Sequence, residues 1–492
     1  MPPMPRINIL IEYAILLTLA LTAGAAASFA FAPYHWWGLL IPAYSGLYLL
    51  LNRSNTFRGG FGFGWIFGFA LFVFSLSWIG NALLVEGNPY AWAYPLAVCA
   101  LPAGLAFFPA IACGIATRFL KLSTIPGFLG LCALLGLSEW LRGHIFTGFP
   151  WNLPAYAFGA NPPLLQAVSL IDIYSLSLFI ILLATAPGLC ALHPKKVAPW
   201  AIATGLGVLL IGFYAYGYQR LSHAPMAMHE DISIKIIQPD TPQHEKWDSA
   251  KLPVHFEELV QLSFAMGDEA PGKTTLIVWP ETALHYQYVR DPNAMRAMQE
   301  MLKSYPGPAA LIAGTILKDP ETGAYTNSVL GIDATGTVQT RYDKFHLVPF
   351  GEYIPFQNLI GTAIPTITKF SGFERGPGPQ TQELILQGRA EPFRFSPLVC
   401  YEILFPGAVV DHAAARPQVI VNVTNDGWYG FSAGPHQHLL KAVFRAVEEG
   451  VPVIRAANNG ISAVIDPYGR VLTQSDLFVE GVYNSPLPLN LP

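Results

Sequence analysis

The first 222 residues carry only 13 of the chain's 60 charged side chains, and the remaining 270 carry the other 47. That imbalance restricts the fold before any motif is read, because a water-exposed domain needs roughly a quarter of its residues charged. Seven stretches of the charge-poor half approach the roughly 20 apolar residues needed to cross a bilayer. They lie near 10–31, 36–52, 60–84, 91–117, 125–141, 163–188 and 199–217. A cleaved leader competes for the first, but six further spans follow it, which favours a retained helix. The second and fifth are short enough to be re-entrant.

Basic residues orient these spans. With a cytoplasmic N-terminus, one side receives Arg6, Arg53, Arg58, Arg118, Lys121, Lys195 and Lys196, and the other only Arg142. An odd number of spans then places everything after about residue 220 on the outer side, the periplasm of a bacterial inner membrane. Glu139 and Asp172 fall within or at the end of spans five and six. Charges there face a cavity or a partner, and Arg142 is a candidate partner. The net charge of −4 supplies no basic face for a nucleic acid.

A polar linker near 218–230 ends the apolar half. Beyond it, short β-rich runs alternate with segments of helical spacing such as 293–304 and 435–449. Ile232–Ile237, Thr275–Val278, Ala309–Ala313, Phe393–Val399, Val419–Val423 and Val451–Ile454 read as strands. Alternating strands and helices predict a layered α/β domain. The expected organisation is a membrane domain over 1–222, a catalytic domain over 230–483 and a short tail over 484–492.

Four of the five cysteines, Cys99, Cys113, Cys132 and Cys190, fall in apolar stretches where a thiol behaves as a small hydrophobe. Cys400 stands alone in the polar half and cannot staple its own domain, so it is packed core or chemistry. An unpaired thiol in an oxidising compartment agrees with chemistry. Two other segments place reactive groups after apolar runs. One is Leu276-Ile277-Val278-Trp279-Pro280-Glu281, the other Lys344-Phe345-His346-Leu347-Val348-Pro349-Phe350-Gly351-Glu352. His436 and His438 lack a cysteine or carboxylate at standard ligand spacing, so no metal is expected. A Cys-His protease using His346 or His436 is a further reading of the thiol.

Pro-Glu, then Lys before Leu-Val-Pro-Phe-Gly-Glu, then Cys400-Tyr401-Glu402, resembles the Glu-Lys-Cys triad of the nitrilase superfamily. A nitrilase-like domain behind several membrane spans resembles, within it, the apolipoprotein N-acyltransferase family. The segments 138–143, 147–152, 422–430, 434–438 and 455–460 add to the likeness. The resemblance implies an α-β-β-α sandwich, no cofactor, and transfer of an acyl chain to the N-terminal amine of diacylglyceryl-cysteine in bacterial lipoproteins. It implies a phospholipid donor, phosphatidylethanolamine above all, which each buried methylene holds in the bilayer by about 0.8 kcal/mol.

In that scheme Cys400 is the nucleophile and forms a thioester that an amine can open. Glu281 is the general base for a thiol whose free pKa is about 8.5. Lys344 stabilises the oxyanion, worth roughly 3 kcal/mol. Glu352, Tyr401 and Glu402 are supporting residues, and Trp247 and Trp428 contact substrate. The segments 351–356 and 370–376 are candidate lids. Family members usually return to the membrane with a last helix, whereas no apolar span follows about 465–483 here. A membrane-anchored amidase or nitrilase-type hydrolase would use the same triad with water as acceptor, and would not need seven spans.

Overall fold

The computed structural model describes residues 6–265, 269, 271–349, 351–353 and 372–491. The chain divides into two compact units, Met1–Ala224 with Ser432–Leu440, and Pro225–Phe431 with Lys441–Pro492. Among the described residues, six helices of the first unit are long and apolar enough to cross a membrane: Ile11–Ser28, Phe57–Leu84, Ala91–Phe119, Ile125–Thr147, Ile173–Leu192 and Val197–Ser222. The expected second span is a shorter apolar helix, Trp37–Leu51. At 1.5 Å per residue it falls short of a bilayer of about 30 Å. Its residues also pack inside the unit. Ser45 Oγ donates to Ala184 O at 2.7 Å and accepts from Gly188 N at 3.1 Å, and Tyr48 donates to Leu122 O at 2.6 Å.

Without a hydrophobic drive between helices in lipid, close backbone approach must hold such a bundle. Gly60, Gly64 and Gly68 supply it, four residues apart along one helix. A Cβ on any of them would strike the segment Ala106–Thr117 at under 3.0 Å. Arg142 is buried and paired with Glu139, and its guanidinium also donates to Trp151 O at 2.8 Å. The one basic residue assigned to the outer side is therefore neutralised within its own helix. Asp172 instead caps the helix Ile173–Leu192, accepting from Tyr174 N and Ser175 N.

Ser432–Leu440, within the sequence expected to be catalytic, clusters with the helical unit. Gln437 shows how. Its Oε1 accepts from Trp151 Nε1 at 2.7 Å and from Trp78 Nε1 at 3.3 Å, while its Nε2 donates to Ala32 O and Ser75 O at 3.1 and 3.2 Å. Gln437→Leu would strip partners from several buried groups at once. We expect it to destabilise the intact protein by about 2–4 kcal/mol, at 1–3 per orphaned group with partial relaxation. An unchanged Tm in detergent would refute this.

The described residues of the second unit form two six-stranded sheets. The first has the order β12-β1-β2-β3-β4-β5 and the second β11-β10-β9-β8-β7-β6. In chain order the strands are β1 Met228–Gln238, β2 Thr274–Leu284, β3 Ala309–Lys318, β4 Tyr325–Ile332, β5 Val338–Asp343, β6 Gln382–Leu384, β7 Phe393–Val399, β8 Val419–Thr424, β9 Val453–Ala457, β10 Ala463–Ile465, β11 Val471–Gln474 and β12 Gly481–Pro488. β1, β2 and β3 are parallel, as are β7, β8 and β9, and the other pairings are antiparallel.

Alternation along each strand splits the apolar side chains into two faces. Ile232, Ile234, Ile236, Leu276, Val278 and Ile312 join Phe393, Phe395, Val419, Val421 and Ile454 in one core between the sheets. Ile277, Trp279, Leu311 and Ala313 face outward onto Leu259, Val260, Met298 and Met301 of the helices Leu252–Ser263 and Pro292–Lys303. These layers are those of the α-β-β-α sandwich expected from sequence. The expected tail starts inside β12, where Ser485 pairs with Ile234 and Asn484 with Lys235. Pro486 and Pro488 hide this strand in the sequence, yet an edge strand tolerates them. Residue 492 lies outside the described residues.

Candidate active site

Parallel strands present their C-terminal ends, and the loops that follow, as natural sites. Glu281 lies near the end of β2, Lys344 directly follows β5, and Cys400 directly follows β7. The β2–β3 register breaks between Trp279 and Leu284, and Thr282 takes φ +53°. Cys400 takes φ +52° at the start of the short turn Cys400–Leu404. Each left-handed residue costs about 1–3 kcal/mol unless its surroundings hold it, and such strain concentrates at functional sites.

Lys344 is 1% exposed. Its Nζ lies 2.8 Å from Glu352 and 4.0 Å from Glu281 Oε1. Burial opposes its charge, but Glu352 and then Glu281 outweigh burial and hold its pKa above the usual lysine range. Asn327 Nδ2 bridges the two carboxylates, donating to Glu281 at 2.8 Å and Glu352 at 3.0 Å. Burial, with Glu352 adding to it, raises the Glu281 pKa against the opposing pull of Lys344, Asn327 and Lys246. The Cys400 thiol is 7% exposed and within electrostatic reach of both Glu281 and Lys344. Burial first, then Glu281, pushes its pKa up, so the resting sulfur is a thiol that requires a base.

The backbone around these groups is heavily bonded. Glu402 is fully buried, and its carboxylate accepts from Tyr342 Oη, Phe345 N and His346 N at 2.8, 2.8 and 3.1 Å and from Val399 N at 2.7 Å. Burial pushes its pKa up to about 7, against the donors of Val399 and the charge of Lys344. With four donors at its two oxygens, Glu402 organises the turn that starts at Cys400 and the segment after Lys344. On the far side of the turn, Asn422 Nδ2 donates to Cys400 O at 3.3 Å. Arg455 binds Asn422 Oδ1 and Asp426 Oδ2, each at 2.6 Å, and all three are buried.

Tyr401 is buried beside His346 and Phe405, with ring centroids 5.9 and 5.1 Å away. Trp247 is 48% exposed and lines a narrow cavity of about 20 Å³ with Lys246, Thr282 and His285. Trp428 is 41% exposed, on the turn Asp426–Tyr429. Of the two candidate lids, 354–356 and 370–371 lie outside the described residues, as does Phe350 of the lysine motif. The described part of the second lid is tied down: Phe373 N donates to Glu352 O, Glu374 N to Tyr325 O and Gly376 N to Lys344 O, at 2.7–2.8 Å.

Sequence reading missed Asn327, Lys246, Asn422, Asp426 and Arg455. The last three lie in 422–430 and 455–460, segments noticed for their likeness but given no task. Lys246 sits next to Trp247 and reads as an ordinary loop charge. Asn327 opens a polar-looking strand and carries no local signal.

The sequence profile of the carbon-nitrogen hydrolase family matches residues 236–491, and that of the apolipoprotein N-acyltransferase N-terminal domain matches 23–186. The apolipoprotein N-acyltransferase of Rhodopseudomonas palustris is 38% identical over 489 residues, spanning 96% of this chain and 89% of that one. That of Allorhizobium ampelinum is 36% identical over 487 residues, spanning 96% and 90%. That of Brucella melitensis is 39% identical over 434 residues, spanning 86% and 79%. An apolar helical half, a carbon-nitrogen hydrolase half and relatives that run through both lead to one conclusion: the chain is a multi-pass membrane protein that belongs to the apolipoprotein N-acyltransferase family of acyltransferases.

Proposed function

We propose that this acyltransferase moves an acyl chain from a phospholipid to the N-terminal amine of diacylglyceryl-cysteine in apolipoproteins, through a thioester on Cys400. The observation that carries the reading is a buried thiol of raised pKa beside a buried carboxylate and a buried ammonium. Glu281 takes the thiol proton as Cys400 Sγ bonds to the ester carbonyl carbon. Lys344 faces the negative charge that develops on the carbonyl oxygen. Collapse breaks the ester C–O bond, and Glu281 returns the proton to the departing lysophospholipid alcohol. The acceptor amine then attacks the thioester and gives its proton to Glu281, which passes it to the released Cys400 sulfur.

Phosphatidylethanolamine, an abundant bilayer lipid, is the proposed donor. The proposed location is a bacterial inner membrane with the catalytic unit on the periplasmic side. Seven basic residues against Arg142 support this, and Arg142 is itself paired with Glu139. The same charges require the short helix Trp37–Leu51 to cross, with the bilayer thinned locally to match its length, because otherwise Arg6 and Arg53 would lie on opposite sides.

Intact-mass measurement of protein incubated with phosphatidylethanolamine tests the reading. One acyl adduct is expected on the native protein and none on Cys400→Ala, and the adduct should disappear when a diacylglyceryl-cysteine peptide is added and becomes acylated. Release of free fatty acid without acylated peptide would instead identify a hydrolase.

A further inference from the structure

The acyl-transfer scheme leaves one buried amine beside the site without a task. Lys246 lies between β1 and the helix Leu252–Ser263 and is 6% exposed. Among the described residues its hydrogen-bond partner is the backbone carbonyl of Glu281, 2.9 Å from Nζ. A neutral side chain could serve a carbonyl at far lower desolvation cost than an ammonium. Burial accordingly brings the Lys246 pKa down to about 8, while Glu281 and then Cys400 pull it upward. The carbonyl it holds belongs to the residue before left-handed Thr282, where β2 has left its register with β3.

We propose that Lys246 is a positioning residue for acyl transfer: it fixes the kinked Glu281–Thr282 backbone and, as a second cation after Lys344, keeps the Glu281 carboxylate ionised to receive the Cys400 proton. This rests on the reading of Glu281 as base and Cys400 as nucleophile. The titratable groups meeting there come from several elements. Lys344 and Glu352 act on Glu281 from the segment after β5 and Lys246 from the segment after β1, while Glu281 itself acts on Tyr429 of the turn after β8. Asp426 acts on Cys400 from that same turn.

The sign of the effect follows. Lys344 and Lys246 both favour the ionised carboxylate, whereas burial and Glu352 oppose it. Removing the Lys246 charge therefore raises the Glu281 pKa further, and the base stays protonated to a higher pH.

The test measures acyl-thioester formation on the full-length protein in nanodiscs containing phosphatidylethanolamine, read by intact mass from mildly acidic to mildly alkaline pH. Wild type, Lys246→Met, Lys246→Gln, Lys246→Arg and Cys400→Ala are compared per folded molecule. Gln keeps a donor for the carbonyl without the charge, and carries the test if the Met variant does not fold. Both neutral variants are expected to be slower by about tenfold or more at neutral pH, with the acidic limb displaced to higher pH. Arg is expected to hold the limb at its wild-type position. A limb unmoved in a folded neutral variant, with Cys400→Ala silent, overturns the role of Lys246 alone. An adduct on Cys400→Ala overturns the nucleophile assignment beneath it.

Discussion

Lys344→Met is expected to form the acyl-enzyme about 10²–10³-fold more slowly than the native protein, the usual cost of losing one fixed donor to the oxyanion. Methionine keeps the length and apolar stem, so the change removes mainly the charge. That charge has a second use. Glu281 and Glu352 share the Asn327 amide and face the same ammonium, so its loss leaves two buried carboxylates with Lys246 as the remaining cation acting on Glu281. One of them must then bind a proton, and the acidic limb of the rate should rise. Breaking such a buried set costs about 3–5 kcal/mol of stability. The double variant Lys344→Met/Glu352→Gln separates the two effects. It should recover most of the lost Tm while remaining slow. Recovery of the rate along with Tm would show that Lys344 is structural.

The second large effect is expected from Asp426→Ala. Asp426 and Arg455 have no solvent-exposed side-chain surface, and removing one partner strands the other. A loss of about 3–5 kcal/mol is expected, read as a lower Tm of the intact protein in detergent. Asp426→Leu/Arg455→Met, which removes both charges, should be milder than either single change. The same guanidinium also holds Asn422, which in turn donates to the Cys400 carbonyl. Folded Arg455→Met protein should therefore lose acyl-enzyme formation beyond its fractional unfolding. Activity in strict proportion to folded protein would separate this network from the nucleophile.

The six strands readable from sequence are the parallel ones, β1 to β3 and β7 to β9. They are covered on both faces and appear as unbroken apolar runs. The six missed are antiparallel. β5 and β11 open on solvent-exposed positions, β6 and β10 have only three residues each, β4 opens with polar residues, and β12 contains two prolines. Among the helices, Trp37–Leu51 was legible from sequence both as apolar and as short. The segments of Glu281 and Cys400 were legible because each couples an apolar strand to a local signature, and that of Lys344 through its signature alone. Asn327, Lys246 and Arg455 were not, because each meets the site through a tertiary contact that its own neighbours in sequence do not encode.

The four donors on Glu402 have a consequence for traffic through the site. One carboxylate ties the amide before Cys400 to the amides after Lys344, so sulfur and ammonium are anchored to a common point and cannot drift apart while an acyl chain is carried. On the proposed route, the carbonyl oxygen then turns toward the same lysine in both halves of the reaction. The departing alcohol and the arriving amine must consequently use the same open side of the carbonyl. They take turns at a single doorway, and the lysolipid has to clear it before the lipoprotein's terminus can enter.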